Sequence, residues 1–413
     1  MHSGPRGATH AELRIDRIAA GDAGIGRVDG LATFVPRTAP GDLVRVRLRN
    51  RRRYAEGTLV EVLTAGPDRV EPSCSHYVRD ACGGCQMQHL AYDAQLLAKQ
   101  DIVRQALSRI GHRMVEVEAV RPSPEVWRYR NKLTLTVRGR GAGRHGGLRR
   151  LGAPDEVFDL TECPISAKPV ELAWGEVREA IALLPAGDDV RVVLRWEVLG
   201  VSAVVKGGGP WGDREAFLAR CPSLTRVRHD PSAAASTDED DAVASLDAFT
   251  QVNDAMAREM EDHVVAVIRE TSPARVVDAY GGQGRIAGRL SSAGIDVSLI
   301  EFDPEATRIA AAECPGVDVR TARVEDTIAE VLPADLVLVN PPRTGLHARV
   351  CEVLEGARPQ PGRLVYVSCD PATLARDLGR LPSWRVERVS PFDLFPQTAH
   401  VETVCVLSPE VVQ

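Results

Sequence analysis

The stretch Arg275-Val-Val-Asp278-Ala-Tyr280-Gly281-Gly282-Gln283-Gly284-Arg285-Ile286 decides the fold. An apolar, β-branched run gives way to a glycine-rich turn, and the turn opens a helix. Glycines there let the backbone pass close to a ligand. Three later segments repeat the apolar-strand pattern: Val297-Ser-Leu-Ile-Glu301, Asp335 to Asn340, and Leu364 to Cys369. Helical segments separate them. This alternation predicts an α/β fold with a parallel, doubly wound sheet.

Glu301 lies seventeen residues after Gly284, at the end of the next apolar strand. A carboxylate at that point accepts both hydroxyls of a ribose. The glycine loop carries no lysine, which argues against a phosphate-cradling nucleotidase. S-adenosylmethionine has a ribose and no phosphate, and it suits the pattern better.

Cys369 falls where the strand Val365-Tyr-Val-Ser368 ends, ahead of Asp370-Pro371. Asn340-Pro-Pro-Arg343 ends another strand. Ligands of open α/β sheets bind at such carboxyl ends. The run Phe395-Pro-Gln-Thr-Ala-His400-Val-Glu402 adds a histidine and a glutamate. A cysteine and a carboxylate beside a cofactor crevice suit covalent catalysis; a core thiol and a surface acid are the plain alternative.

The remainder of the 413 residues suggests two further domains. Residues 10–70 read as short strands broken by Gly21-Asp22, Asp29-Gly30 and Pro40-Gly41. In Leu43-Val-Arg45-Val-Arg47-Leu48 apolar and basic residues alternate, as in a strand with arginine facing outward. A small β-barrel with a basic exterior follows. A helix is expected over 92–110, on Leu96, Val103, Leu107 and Ile110, with Gly111 as its stop. From Asn131 the pattern turns to alternation, and Val190 to Val205 reads as a strand pair. The acidic, low-complexity segment 230–245 reads as a loop at a domain boundary. The expected domains are 1–70, 71–247 and 248–413, with the 92–110 helix able to pack on the last.

Net charge is −6, yet the charges are segregated. Arg45 to Arg53 holds six arginines and no acid, and Trp127 to Arg150 holds eight Lys/Arg and no acid. Such basic blocks suit a polyanion. The candidate contacts are Arg49, Arg51, Arg52, Arg128, Arg130 and Lys132. No apolar run has the length of a membrane span, and residues 1–17 contain no apolar signal region, so a cytoplasmic location is expected. In that reducing compartment nine cysteines imply metal binding or catalysis before disulfides. Cys74, Cys82 and Cys85 are compact, and Cys163-Pro164 lies downstream. Four thiolates hold either zinc or an iron–sulfur cluster. Cys221 and Cys314 read as ordinary buried thiols.

Taken together, these motifs resemble the RNA 5-methyluridine methyltransferase family. The residues that carry the resemblance are Gln251-Val-Asn253, Asp278-x-Tyr-x-Gly-x-Gly284, Asn340-Pro-Pro-Arg343, Val367-Ser-Cys-Asp-Pro-Ala-Thr-Leu-Ala-Arg-Asp377 and Phe395-Pro-x-Thr-x-His-x-Glu402. The resemblance implies a Rossmann-like class I methyltransferase domain behind a TRAM-like barrel. It implies S-adenosylmethionine as cofactor, contacted by Gln251, Tyr280, Gly282, Glu301 and Asn340, with Arg285 where relatives often carry a polar residue. It makes Cys369 the nucleophile and Glu402 the general base, and it makes Cys74, Cys82, Cys85 and Cys163 the ligands of a 4Fe-4S cluster. The implied partner is structured RNA, 23S ribosomal RNA before transfer RNA; no protein partner and no membrane is implied.

The chemistry explains these residue types. Carbon 5 of uridine is too poor a nucleophile to attack a methyl sulfonium unaided. Addition of a thiolate to carbon 6 activates it, and a base then removes the carbon 5 proton. Two departures stand out: Asn340 where relatives usually have aspartate, and seven residues between the first two cluster cysteines where five are common. Asn340 also motivates a second reading, a non-catalytic RNA-binding protein on the same fold. A radical enzyme fits less well, because four cysteines leave no open iron.

Overall fold

The computed structural model describes residues 9–188, 190–231 and 251–410. The acidic segment and the boundary expected at 247/248 lie outside the described residues, apart from Asp230 and Pro231.

Five strands close a barrel in the order β1-β2-β3-β5-β4: β1 (Thr9–Ile18), β2 (Gly24–Val28), β3 (Leu31–Val35), β4 (Leu43–Asn50) and β5 (Ala55–Thr64). Alternation along β4 buries Val44 and Val46 with Leu13, Ile15 and Val35, and turns Arg47 and Arg49 outward. The basic run is less bare than its sequence. Arg45 meets Glu12 at 2.9 Å and Glu61 at 2.7 Å, and Arg51 meets Glu56 at 2.8 Å. The acids at positions 12 and 61 stand on neighbouring strands, where a local charge count misses them.

A short helix, α1 (Ser75–Arg79), and a long one, α2 (Tyr92–Arg109), follow. A second sheet has the order β12-β11-β10-β6-β7. It is built from β6 (Lys132–Arg138), β7 (His145–Gly147), β10 (Val190–Glu197), β11 (Gly200–Lys206) and β12 (Leu224–Asp230). The small pair β8 (Arg149–Arg150) and β9 (Ala153–Val157) flanks it, and α3 (Lys168–Glu179) and α4 (Arg214–Arg220) accompany it. Leu133, Leu135 and Val137 of β6 pack with Trp174 of α3. α2 departs from this middle region. Its Val103, Ala106 and Leu107 join the core of the C-terminal sheet. Gly111 sits against α10 (Pro371–Leu378), where a Cβ would come within 3.0 Å of the Ala375 carbonyl.

The third sheet holds seven strands in the order β15-β14-β13-β16-β17-β19-β18. They are β13 (Arg275–Ala279), β14 (Asp296–Glu301), β15 (Asp318–Thr321), β16 (Leu336–Val339), β17 (Arg363–Ser368), β18 (Trp384–Phe392) and β19 (Glu402–Pro409). Helices α5 (Asp254–Arg269), α6 (Arg285–Ser292), α7 (Pro304–Glu313), α8 (Val324–Val331) and α9 (Ala348–Gly356) join α10 around it. β13 to β17 are parallel, as the alternation of elements predicts. The sequence reading names no strand beyond Cys369; two follow, and β19 runs antiparallel between β17 and β18. β18 and β19 follow each other with no helix between them, so no crossover is available to make them parallel.

Candidate active site

The antiparallel insertion of β19 builds the centre of the site. Ser368 of β17 pairs with Thr403 of β19. Cys369 comes one residue after Ser368, and Glu402 one residue before Thr403. Each thus lies one residue beyond the last pair of the ladder, close enough for the Glu402 charge to act on the Cys369 thiol. The turn that carries Cys369 is pinned from both sides. Ser368 Oγ accepts the Asp370 N–H at 3.2 Å, and Asp370 caps α10 by accepting the Thr373 N–H at 2.8 Å.

Burial and neighbouring charge shift both groups. Glu402 is only 3% exposed, and burial pushes its carboxyl up to about 7, against the pull of Arg343. Burial and the Glu402 charge push the Cys369 thiol up to about 12, again opposed by Arg343. The Arg343 guanidinium thus favours the charged form of both groups. Its turn is held by Asp377, which accepts the Leu346 N–H at 2.7 Å and the Tyr366 hydroxyl at 2.9 Å. Gly345 in that turn adopts φ +76°, and a Cβ there would lie 2.4 Å from the Asp377 carboxylate.

The turns that leave β13, β14 and β16 lie at the same carboxyl end of the parallel strands as Cys369. Tyr280 leaves β13 at φ +61°, a left-handed conformation that costs of order 1–3 kcal/mol for a non-glycine residue. The Glu301 carboxylate accepts the N–H groups of Gly282 at 3.1 Å, Phe302 at 2.7 Å and Asp303 at 2.8 Å. It ties the glycine turn to the end of β14. Gly281 packs so closely on Leu299 that a Cβ would lie 2.7 Å from it. Asp278 is buried beneath, its carboxyl raised to about 7 by burial and by Glu301. Asn340 is exposed at the end of β16. Gln251 lies on a separate strip, bonded through its carbonyl to Asn131 Nδ2 at 3.2 Å. Arg285 pairs with Glu261 of α5 at 3.0 Å.

Known proteins share this architecture. The family model for tRNA (uracil-5-)-methyltransferase matches residues 318–410. An RNA methyltransferase of Thermosynechococcus vestitus is 32% identical, over 98% of this chain and 98% of its own. The 23S rRNA (uracil(1939)-C(5))-methyltransferase RlmD of Methylococcus capsulatus is 32% identical, over 98% and 99%. The crystal structure of Pyrococcus abyssi tRNA (uracil-54, C5)-methyltransferase, in complex with S-adenosyl-L-homocysteine, superposes with a TM-score of 0.73. It is 25% identical and covers 96% of this chain and 100% of its own. The chain belongs to the RNA uracil-C5 methyltransferase family.

This methyltransferase also gathers its four candidate metal ligands. Cys74, Cys82, Cys85 and Cys163 are all buried and line one cavity of about 70 Å³. Among the described residues, no three His, Cys, Asp or Glu side chains are grouped to hold a single metal ion. The thiols surround a space instead of converging on a point. Burial drives the Cys82 thiol up to about 11 and raises Cys85 and Cys163 as well. Donors nonetheless face the sulfurs: the Gly84 N–H reaches Cys82 Sγ at 3.4 Å, and Gln88 and the Ser166 N–H partly offset the rise at Cys85 and Cys163.

The candidate RNA contacts divide into two groups. Arg49 and Arg52 are exposed on the barrel, where Arg51 is already paired. Arg128 turns inward: it pairs with Glu171 and donates to the Ser166 carbonyl at 3.3 Å. Arg130 lines the thiol cavity, and its N–H donates to the Ile165 carbonyl at 2.9 Å. Both therefore brace the Cys163 turn. Lys132 starts β6, half-buried. Sequence reasoning assigned no role to Arg343 or Asp377, and for α2 it expected packing on the C-terminal domain but no hold on the Glu402 segment. The face of α2 carrying Tyr92, Gln95 and Lys99 grips residues 393–397 just ahead of Glu402. Spacing of i, i+3 and i+7 was the available signal. Among the described residues no helix is long and apolar enough to cross a membrane.

Proposed function

We propose that this enzyme methylates carbon 5 of a uridine in structured RNA, with 23S ribosomal RNA as its substrate. The observation that carries the reading is the meeting of Cys369 and Glu402 at the adjoining ends of β17 and β19, with the Glu402 charge felt by the thiol and Arg343 acting on both. Cys369 adds as thiolate to carbon 6, which makes carbon 5 nucleophilic. Its high resting pKa keeps it protonated until a substrate docks, and the Arg343 charge favours the thiolate when it forms. S-adenosylmethionine supplies the methyl group when bound. Glu301 and the turn from Tyr280 to Gly282 suit its ribose and backbone, and Gln251 and Asn340 border the methyl-donor and base positions. Glu402, with a carboxyl near neutrality, takes the carbon 5 proton, and Cys369 then leaves carbon 6. A paired uridine must be turned out of its stack to reach these groups.

The barrel acts as a TRAM-like RNA-binding module, and Cys74, Cys82, Cys85 and Cys163 would hold a 4Fe-4S cluster in the thiol cavity. Four buried sulfurs around one space, with N–H donors aimed at them, support the cluster over a single ion. With four ligands its role is structural. All nine cysteines are free thiols, in keeping with a cytoplasmic protein.

The decisive experiment uses anaerobically purified protein, labelled S-adenosylmethionine, and separate pools of unmodified 23S ribosomal RNA and transfer RNA. Labelled 5-methyluridine in the ribosomal pool supports the reading. Label in transfer RNA alone favours the second substrate class, in line with the Pyrococcus structure. No label in either pool, with cofactor bound, favours the Asn340-altered RNA-binding protein.

A further inference from the structure

Two further polar side chains are buried beside the thiol cavity: Gln88, which lines it, and Ser166, three residues after Cys163. Ser166 has no exposed surface. Its N–H closes the Cys163 turn on the Cys163 carbonyl at 2.9 Å. A buried serine hydroxyl ordinarily bonds back to a nearby carbonyl. Here those carbonyls are taken. Ile165 accepts the Arg130 N–H at 2.9 Å, Arg130 accepts the Ala167 N–H at 2.8 Å, and Ser166 itself accepts the Arg128 guanidinium at 3.3 Å. Ser166 Oγ is left without a hydrogen-bond partner. A fully buried hydroxyl in that state calls for an acceptor. The Cys163 sulfur is the acceptor at hand: the hydroxyl and the N–H of Ser166 both favour its thiolate.

Gln88 is oriented by the backbone of another ligand. Its Oε1 accepts the Cys74 N–H at 3.3 Å, which leaves Nε2 to donate. That amide favours the Cys85 thiolate. Arg130 lines the same cavity, and its charge favours the thiolate of Cys163. The acid in the lining, Glu162, is exposed and accepts from Ser75 Oγ at 3.2 Å.

We infer that Ser166 and Gln88 donate hydrogen bonds to the cluster-holding sulfurs of Cys163 and Cys85, and so keep a bound cluster from giving up electrons. The inference rests on the cluster reading and adds two residues to it. Four thiolates give such a cluster a net negative charge, and one-electron oxidation removes part of it. Donors to the sulfurs stabilise the more negative state of each couple and raise its potential. An electron then passes less readily from the cluster to dioxygen, which would become superoxide. Methyl transfer itself consumes no electron, so these donors serve the persistence of the site. Persistence matters to the catalytic strand. Gln86 and Met87, next to Cys85, donate to the Gln397 carbonyl at 3.0 and 2.9 Å, just ahead of Glu402.

The test compares wild type with Ser166→Ala and Gln88→Met, each purified anaerobically. Iron and acid-labile sulfide report loading, and thermal melting reports folding. The midpoint potential is read by electron paramagnetic resonance during titration with dithionite. Oxygen tolerance is the rate at which the visible absorption fades in air. Ser166→Ala removes one oxygen that bonds nothing else, so it remains informative if Gln88→Met, which also loses the Cys74 contact, melts early. Expected for Ser166→Ala is about a tenfold shift of the one-electron equilibrium toward the oxidised form, a potential lower by about 59 mV. Its colour should fade correspondingly faster in air, and the air rate decides if both potentials lie below the reach of dithionite. Wild-type potential and wild-type fading in a fully loaded Ser166→Ala overturn the inference and leave the cluster reading standing. A wild type that takes up no iron and sulfide on anaerobic reconstitution, or that holds zinc in their place, defeats the cluster reading, and the inference falls with it.

Discussion

Lys99 donates to Asp393 across 2.5 Å with neither side chain exposed, and the same ammonium donates to the Phe395 carbonyl at 3.0 Å. Tyr92 completes the carboxylate from the other side at 2.8 Å. Gln95 and Gln397 exchange two further bonds at 3.0 Å. The Gln397 carbonyl accepts the N–H groups of both Gln86 and Met87, at 3.0 and 2.9 Å. One face of α2 and the loop after Cys85 thus fix the segment that delivers Glu402. Gln397 holds φ +70° within this grip.

Lys99→Met leaves the Asp393 charge buried with one partner fewer. Removing one member of such a pair costs about 3–5 kcal/mol. Chemical denaturation should show that loss, and Lys99→Met with Asp393→Leu should recover part of it. In steady-state kinetics the single variant should lower kcat more than it raises the RNA KM, because the pair acts on the position of Glu402.

Glu402 sets the acid limb of the pH profile. With its carboxyl near 7, the basic form is lost as pH falls through neutrality, so kcat/KM should decline below about pH 7. Stability runs the opposite way. Between the ordinary carboxylate value of 4.5 and about 7, the folded protein holds a proton that the unfolded chain has released. Folding stability from this group therefore falls as pH rises through that window. Glu402→Gln should abolish turnover yet stabilise the fold at pH 8 by on the order of 3 kcal/mol, seen as a higher melting temperature, and give no gain at pH 4. A lower melting temperature at pH 8 would contradict the burial cost.

On the proposed mechanism, loss of Cys369 and loss of Glu402 have different consequences. Cys369→Ala should bind S-adenosylmethionine normally and transfer no methyl group. Glu402→Gln keeps the thiol but cannot complete the proton removal, so it should accumulate an RNA–protein adduct that survives denaturing electrophoresis. Absence of that adduct, with RNA bound, would count against attack by Cys369.

Cys85→Ser removes one of the four cavity sulfurs. Iron and acid-labile sulfide should fall together with the visible absorption of the purified protein. Because Gln86 and Met87 follow directly, amide exchange should speed up at 395–402 as well as at 74–88. A variant that loses iron but leaves 395–402 protected would separate the cluster from the catalytic segment.

Much of this was legible in the sequence because it is local. Val44 and Val46 against Arg45 and Arg47 announce a barrel strand, and Leu133, Leu135 and Val137 announce β6. The glycine turn at 281–284 and the end of β17 at Cys369 carry their own signals. What stayed hidden depends on partners far along the chain. Nothing local to Lys99 announces its burial, which Asp393, 294 positions on, explains. Arg45 reads as a bare charge until β1 and β5 bring Glu12 and Glu61 alongside. Arg128 and Arg130 read as an RNA surface, yet the turn at Cys163 claims both. Strand direction was the costliest omission, since periodicity carries no information on whether β19 runs up or down.

That antiparallel strand also imposes an order on the birth of the enzyme. β19 must slide between two neighbours that already exist, and Glu402 is translated after every other strand of the described chain. The barrel and the central sheet leave the ribosome first. Cys369 therefore gains its carboxylate neighbour only when the sheet is finished.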